Sequence, residues 1–338
     1  MSNIVSLVNL TAGVGALLSF MVNDRVGRLW SLRIYVSVVT IGTLISTFSY
    51  GSLGALYVGR LVSGLGIGAL TVTGPMSIVE VAPRVTRGLM TLWFNIAMLS
   101  SQMIGIFIVY GVNENISDQL NLQWQIPFFV QTFVPVIAVG LSFFIDESPR
   151  WLCMKGRTDE ALAVLAHIRG SDVDSPHLLA EFESINTPIQ LELSEYGQET
   201  VLSTLKETFC VRSNLRRVQL TVVAYILAQM SGANSITNYL PTIFGYIGVE
   251  GSHAKIYSSG LYAFAKLFCC ILASLFFVDA IGRRKSLFIG ITVQMCCHIY
   301  LSVFLNLLGS GAPISKDADA AAIAAIYVHA FGWAVGQS

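Results

Sequence analysis

The sequence predicts an all-α membrane protein built from two related halves, on three observations. Of its 338 residues, 54% are hydrophobic and 12% charged, and mean hydropathy is +0.66; soluble domains carry roughly 25% charge. The apolar residues come in runs of the roughly 20 residues that a membrane span needs. A short charged stretch, Asn23-Asp24-Arg25-Val26-Gly27-Arg28, lies between two such runs and is echoed by Asp279-Ala280-Ile281-Gly282-Arg283-Arg284-Lys285. A charged turn cannot lie in hydrocarbon, so each copy marks a membrane face. One early and one late copy point to two similar halves.

The apolar runs give about nine spanning helices, near 4–22, 31–50, 54–79, 89–111, 125–145, 217–246, 256–278, 286–308 and 319–336. The third contains Gly59, Ser63, Gly64, Gly66 and Gly68, small residues that let helices approach closely. The sixth contains Gly232 and Pro241, which let a span break and free backbone groups inside the membrane. One long polar segment interrupts the series. Within it Thr158–Arg169 has helical spacing, with Ala161, Leu162, Leu165 and Ile168 on one face, so the segment reads as short surface helices. The plan is a first helical half over 1–145, a linker with short helices over 146–214, and a second helical half over 215–338.

Lys and Arg set the orientation. One set of loops holds Arg25, Arg28, Arg33, Arg84, Arg87, Arg150, Lys155, Arg157, Arg169, Lys206, Arg212, Arg216, Arg217, Arg283, Arg284 and Lys285; the opposite loops hold Lys255 and Lys316. The richer side is expected to be cytoplasmic. The first span then runs from outside to inside, with five spans before the linker and four after it. If the two charged turns mark equivalent points, one helix is wanting before residue 4 and the second half runs on past Ser338. The sequence therefore reads as part of a twelve-helix protein. The six Cys, among them Cys269-Cys270 and Cys296-Cys297, lack metal-ligand spacing and read as small apolar residues. No cleavable signal peptide is evident.

Several motifs, in order, now carry a resemblance. Asp24-Arg25-Val26-Gly27-Arg28 is followed by Gly59-Arg60, by Glu80 with Arg87-Gly88, by Glu147-Ser148-Pro149-Arg150-Trp151-Leu152, by Gln229-Met230-Ser231-Gly232-Ala233-Asn234, and by the second charged turn. Together they resemble the sugar-porter branch of the major facilitator superfamily, most of all its fungal members. The resemblance runs from that family's second helix into its tenth. Departures are Leu29 for a second basic residue, Asp146 for a Pro, Ala228 for the first of two Gln, Asn238 for a Tyr, and the ending Gly336-Gln337-Ser338.

The resemblance implies a cytoplasmic gate. Asp24, Arg25, Arg28, Glu80 and Arg87 fall at inner helix ends, where opposite charges pair to hold one conformation and release it during alternating access. Glu147, Arg150, Asp279, Arg283 and Arg284 would extend the latch. Positive-inside anchoring is the simpler reading of the same charges. Asn95 and Gln102 share a helix face two turns apart, and Gln229, Asn234, Asn238 and Tyr239 cluster around Gly232 and Pro241. Amides donate and accept at once, which suits a sugar hydroxyl; bonding between helices is the alternative for each.

Arg60 and Lys266 are charges within spans. In proton-coupled porters an arginine like Arg60 partners an acid on the first helix. Lys266 lies about 20 Å along its helix from Asp279, too deep for easy snorkelling; pairing with backbone or a helix end is its other reading. His298 and His329 are isolated in the sequence and read as packing or interfacial residues.

No GxxxxGK[ST], HExxH or GxSxG occurs, which argues against an ATP-driven pump or a hydrolase. The expectation is a non-enzymatic secondary transporter of a monosaccharide or polyol, with proton symport in the intact protein. It would be multi-pass, in the plasma membrane, in contact with lipid and not with nucleic acid, and without cofactor or metal. Three alternatives remain: a transporter of a quinate-type polyol acid, for which Lys266 offers positive charge; a transporter-like nutrient receptor; and a non-functional truncated product.

Overall fold

A single residue, Gly27, separates the first two helices in the computed structural model, which describes residues 2–83, 86–117, 120–196, 201–230, 232–247, 251–277, 282–310 and 315–337. The charged stretch is thus hardly a turn: α1 (Ser2–Val26) carries Asp24 and Arg25 in its last turn, and α2 (Arg28–Thr47) begins on Arg28. Gly27 adopts φ +106, a conformation L side chains rarely take, and a Cβ there would come within 2.5 Å of Glu147 Oε2. Both facts require glycine at the joint.

The chain divides into two compact units. The first is Met1–Thr91 with Asn121–Glu207, and the second is Leu92–Leu120 with Thr208–Ser338. In the first, α3 (Leu53–Val81) packs on α1 and α2, and α5 (Leu122–Ser142) packs on α2. Close approach explains the small residues of α3: a Cβ on Gly68 would lie 1.8 Å from the Ala12 carbonyl oxygen. In lipid, helices gain little from hydrophobicity against one another, so such backbone proximity supplies the van der Waals contact.

Short helices α6 (Pro149–Met154), α7 (Thr158–Arg169) and α8 (Pro176–Tyr196) complete this unit, followed by α9 (Val201–Cys210). Ser148 caps α6 by accepting from Trp151 N, and Pro149 follows at its first position, where no N–H is missed. Their apolar faces pack together through Trp151, Leu152, Cys153, Ala161 and Ile189, and through Leu165, Ala166 and Leu178. The sequence-predicted face of α7 is the one that packs, with Ala166 added.

The second unit holds most of α4 (Arg87–Asn115), then α10 (Arg212–Met230), α11 (Ala233–Tyr246), α12 (Ser252–Leu272), α13 (Arg283–Gly309) and α14 (Lys316–Gln337). A π-helical turn, Ala273–Phe277, extends α12. Leu240, Phe244, Tyr262, Leu301, Phe304 and Ile326 form the heart of its core. Regular structure among the described residues is wholly helical, and eight helices are long and apolar enough to cross a membrane. The ninth expected span, 217–246, is instead two helices. They meet at Gly232, which adopts a left-handed φ of +77 before α11 starts.

Candidate functional site: charged helix ends and a buried polar cluster

Arg28 is the hub of the first unit's charged end. It is 3% exposed, and Glu80 on α3 is 6% exposed. Arg28 Nε and a terminal nitrogen donate to the Glu80 carboxylate at 3.0 Å, while the other terminal nitrogen donates to Asp24 Oδ1 at 2.9 Å and to the Asn23 carbonyl at 3.1 Å. Glu80 also accepts from Ser148 Oγ at 2.6 Å. A buried carboxylate and guanidinium tolerate loss of water only with this degree of pairing.

Glu147 acts on backbone. Gly27 has no side chain with which to cap α2, and the first N–H groups of a helix lack internal acceptors. Glu147 Oε1 accepts from Arg28 N and Leu29 N, each at 3.0 Å. A carboxylate at a helix N-terminus is favoured by both hydrogen bonding and dipole. Three further contacts tie the short helices to the spans and to each other. Trp151 Nε1 donates to the Asp24 carbonyl, Arg169 donates to the Val81 carbonyl at the end of α3, and Arg169 forks onto Glu181. Arg33 likewise donates to the Ser142 carbonyl at the end of α5, under Trp30 and Phe143.

Of the predicted gate residues, Asp24, Arg28, Glu80 and Glu147 come together. Arg87 and Arg150 line a neighbouring cleft with Glu80, Arg169, Glu181 and Glu192. Arg25 is exposed, and so is Arg284 in the second unit. Asp279 and the side chain of Arg283 lie outside the described residues. Asn23, Ser148 and Trp151, which the sequence offered only inside motifs, and Arg169, counted only among the inner-side cations, are participants that sequence reasoning did not assign to the gate. Only Ser148, before a Pro at a helix start, carried a local signal.

The predicted solute-binding residues all belong to the second unit. Asn95 and Gln102 are half-buried on α4, on the face of Leu99, which packs against Leu267, Cys270, Ala334 and Val335. Gln229 is exposed on α10, and Asn238 and Tyr239 are exposed on α11, beyond the break at Gly232. The side chain of Asn234 lies outside the described residues.

The two intramembrane cations differ. Arg60 in the first unit lies over the Phe128 ring, and its Nε is buried without a hydrogen-bond partner. Lys266 in the second unit is 4% exposed, with Nζ 3.7 Å from the centre of the Trp333 ring. His298 and His329, isolated in the sequence, face each other near it with ring centres 5.0 Å apart. Nε2 of both, and both amide atoms of Gln294, are buried without a hydrogen-bond partner. Leaving one such group unmet costs about 1–3 kcal/mol. The second unit therefore contains a concentrated reserve of unsatisfied polar groups.

Eight candidate spans make this a multi-pass membrane protein, and its fold is that of the major facilitator class. Structures of the bacterial proton:xylose symporter XylE share the fold. With the form bound to 6-bromo-6-deoxy-D-glucose the TM-score is 0.80 at 20% identity, over 98% of this chain and 69% of that one. With the partially occluded inward-open form from E. coli it is 0.73 at 20% identity, over 98% and 73%. The family model for sugar (and other) transporters matches residues 1–338, and the chain belongs to that family, which is not a family of enzymes. Similar curated proteins include the probable quinate permease of Aspergillus flavus, 30% identical over 331 residues, and the quinate permease of Neurospora terricola, 30% identical over 335. In both cases 96% of this chain is covered, and the chain spans 61% of the relative's length.

Proposed function

We propose that the protein is a secondary transporter that moves a sugar or sugar-like polyol across a membrane by alternating access, with proton symport. The observation that supports this most directly is the Arg28 cluster. A buried arginine joined to carboxylates of α1 and α3, beside a capping glutamate from the α5–α6 connection, is a set of charges that can pair in one conformation and part in another. In this reading Asp24, Arg28, Glu80 and Glu147 form the cytoplasmic gate. Arg25, Arg87, Arg150, Asp279, Arg283 and Arg284 extend the latch in this reading, the Lys and Arg asymmetry supports a cytoplasmic position for it, and the membrane is taken to be the plasma membrane. Asn95, Gln102, Gln229, Asn234, Asn238 and Tyr239 supply hydrogen bonds to the solute, and Arg60 takes part in coupling.

A second reading, a polyol acid of the quinate class, is favoured by Lys266. Among the described residues no carboxylate lies within ion-pair distance of it. A buried cation without an anion suits a solute that brings one. Both readings are tested by uptake of labelled xylose, glucose and quinate into proteoliposomes under an imposed proton gradient. Accumulation of a neutral sugar alone supports the first, and accumulation of quinate the second. Absence of both accumulation and exchange for all three refutes the transporter.

A further inference from the structure

Three helices of the second unit each present one i, i+4 pair to a common interior: Tyr262 and Lys266 from α12, Gln294 and His298 from α13, His329 and Trp333 from α14. Tyr262 Oη lies 3.2 Å from His329 Nδ1, and His329 in turn packs edge-on against His298. His298 Nδ1 is 2.8 Å from the Gln294 carbonyl oxygen. A carbonyl only accepts, so Nδ1 carries the hydrogen and Nε2 of the neutral ring is a lone pair. That lone pair faces the broken span: a Cβ on Gly232 would sit 3.0 Å from His298 Nε2. Both Nε2 atoms are buried and unpartnered.

Two neighbouring imidazoles whose Nε2 atoms have no partner are candidate proton acceptors, and repulsion between like charges opposes a second proton on such a pair. Among the described residues, the other titratable groups around them are Tyr262 and Lys266 of α12, with Cys270 one turn beyond Lys266, Tyr327 of α14 packed beyond Tyr262, and Cys297 beside His298 on α13. From α11 comes Thr237, hydrogen-bonded to Tyr262, and from the helix break Gly232; neither titrates. Among the described residues no carboxylate pairs with Lys266 or with either imidazole. A proton arriving alone would join the lysine's charge with nothing to offset either. A carboxylate arriving beside Lys266 would reverse that balance.

We propose that His298 and His329 form a proton-binding site in the second unit, loaded when the carboxylate of an anionic, hydroxylated solute offsets Lys266. The inference rests on the transporter reading and gives its symport a mechanism. The balance is simple: one H⁺ adds to a ring-nitrogen lone pair, that of His298 Nε2 or the free one on His329, and leaves on release, and no covalent bond of the solute changes. Because linkage is reciprocal, a solute that strengthens proton binding is itself bound more tightly by the protonated protein, by the same factor. The site is distinct from the Arg28 cluster, whose members are hydrogen-bonded to one another.

The chain has only five histidines, so ring carbons of ¹³C-histidine-labelled protein in lipid nanodiscs give few signals. His298→Asn and His329→Asn assign them, since Asn keeps a nitrogen near Nδ1 but takes up no proton at neutral pH. The full chain is titrated from about pH 8 to about pH 5 with and without quinate. The expected result is one protonation shared by the two rings, moved upward by about one pH unit or more with quinate, a tenfold gain in proton affinity. Each Asn variant should abolish the shared event, and Lys266→Met should abolish the effect of quinate. Rings that stay neutral throughout, or a titration identical with and without quinate, overturn the proposal. Sugar uptake by wild-type proteoliposomes alongside either negative result leaves the transporter reading standing. Absence of any uptake, with the titration shift present, refutes that reading alone.

Discussion

Replacing Arg28 by Ala should expose how the first unit holds its charged end. The substitution removes every donor that Arg28 offers to Glu80 and Asp24, and leaves Glu80, 6% exposed, with Ser148 as its remaining hydrogen-bond donor. Stranding one member of a buried pair costs about 3–5 kcal/mol. Glu80→Ala should cost a similar amount by stranding the guanidinium. The double variant strands neither, so it should cost about as much as one single change, with a coupling of about 2 kcal/mol or more. Glu147→Ala behaves differently because its partners are the backbone N–H groups of Arg28 and Leu29. It should cost about 0.5–2 kcal/mol, the range for loss of an N-cap, and the same amount in the Arg28→Ala background. Reversible unfolding in SDS, followed by tryptophan fluorescence and far-UV circular dichroism, measures all five proteins. Additive costs for Arg28→Ala and Glu80→Ala would refute the pairing. Loss of the Glu147 effect in the Arg28→Ala background would show that Glu147 acts through the arginine side chain and not as a cap.

Other outcomes follow from the same geometry. Gly27→Ala should destabilise the first unit severely, since both its φ and the Glu147 carboxylate oppose a Cβ; near wild-type unfolding would contradict the one-residue joint. Gln102→Ala and Gln229→Ala should each weaken solute uptake roughly 2- to 13-fold at unchanged surface expression, the value of one hydrogen bond of about 0.5–1.5 kcal/mol; normal uptake by the double variant would remove both from the solute site. In a cysteine-free background, Asp159→Cys and Ser315→Cys should label from opposite sides of the membrane, with Asp159→Cys cytoplasmic; labelling from one side would end the orientation argued from Lys and Arg. Burial raises the Cys153 thiol above its ordinary range, so it should resist maleimide at neutral pH until the protein is unfolded, and prompt labelling would place it at a surface.

Much of the first unit was legible in the sequence because its determinants are local. Hydrophobic runs set the spans, and each of eight falls within a few residues of its expected bounds. Charges at helix ends announce themselves, because ionised groups have few places to go in a membrane protein. What escaped was the length of the joint. Asp24-Arg25-Val26-Gly27-Arg28 reads as a polar turn, yet the helix runs to Val26 and only Gly27, at φ +106, departs from helical backbone. A helix reaching the membrane surface has no reason to stop at its first charge, since Asp and Arg are themselves compatible with helix. The role of Glu147 escaped for a related reason: the helix-end N–H groups that it caps lie more than a hundred residues away.

The second unit shows the limit of reading residues one at a time. His298, His329 and Gln294 each look unremarkable in an apolar helix, and nothing in their spacing links them. Their significance lies in three i, i+4 pairs from three helices meeting, which periodicity within any one helix cannot reveal. The two units also handle buried charge in opposite ways. Around Arg28 every carboxylate has a donor within the same unit, so the charges are satisfied, and any rearrangement must replace those bonds with water or new partners. Around Lys266 the cation has an aromatic face, and four polar atoms nearby have nothing. Native interiors rarely tolerate such a concentration unless something enters to meet it. A satisfied cluster resists motion until it is broken, whereas an unsatisfied one draws an occupant in. A transporter needs both, and only the first kind writes itself into a local motif.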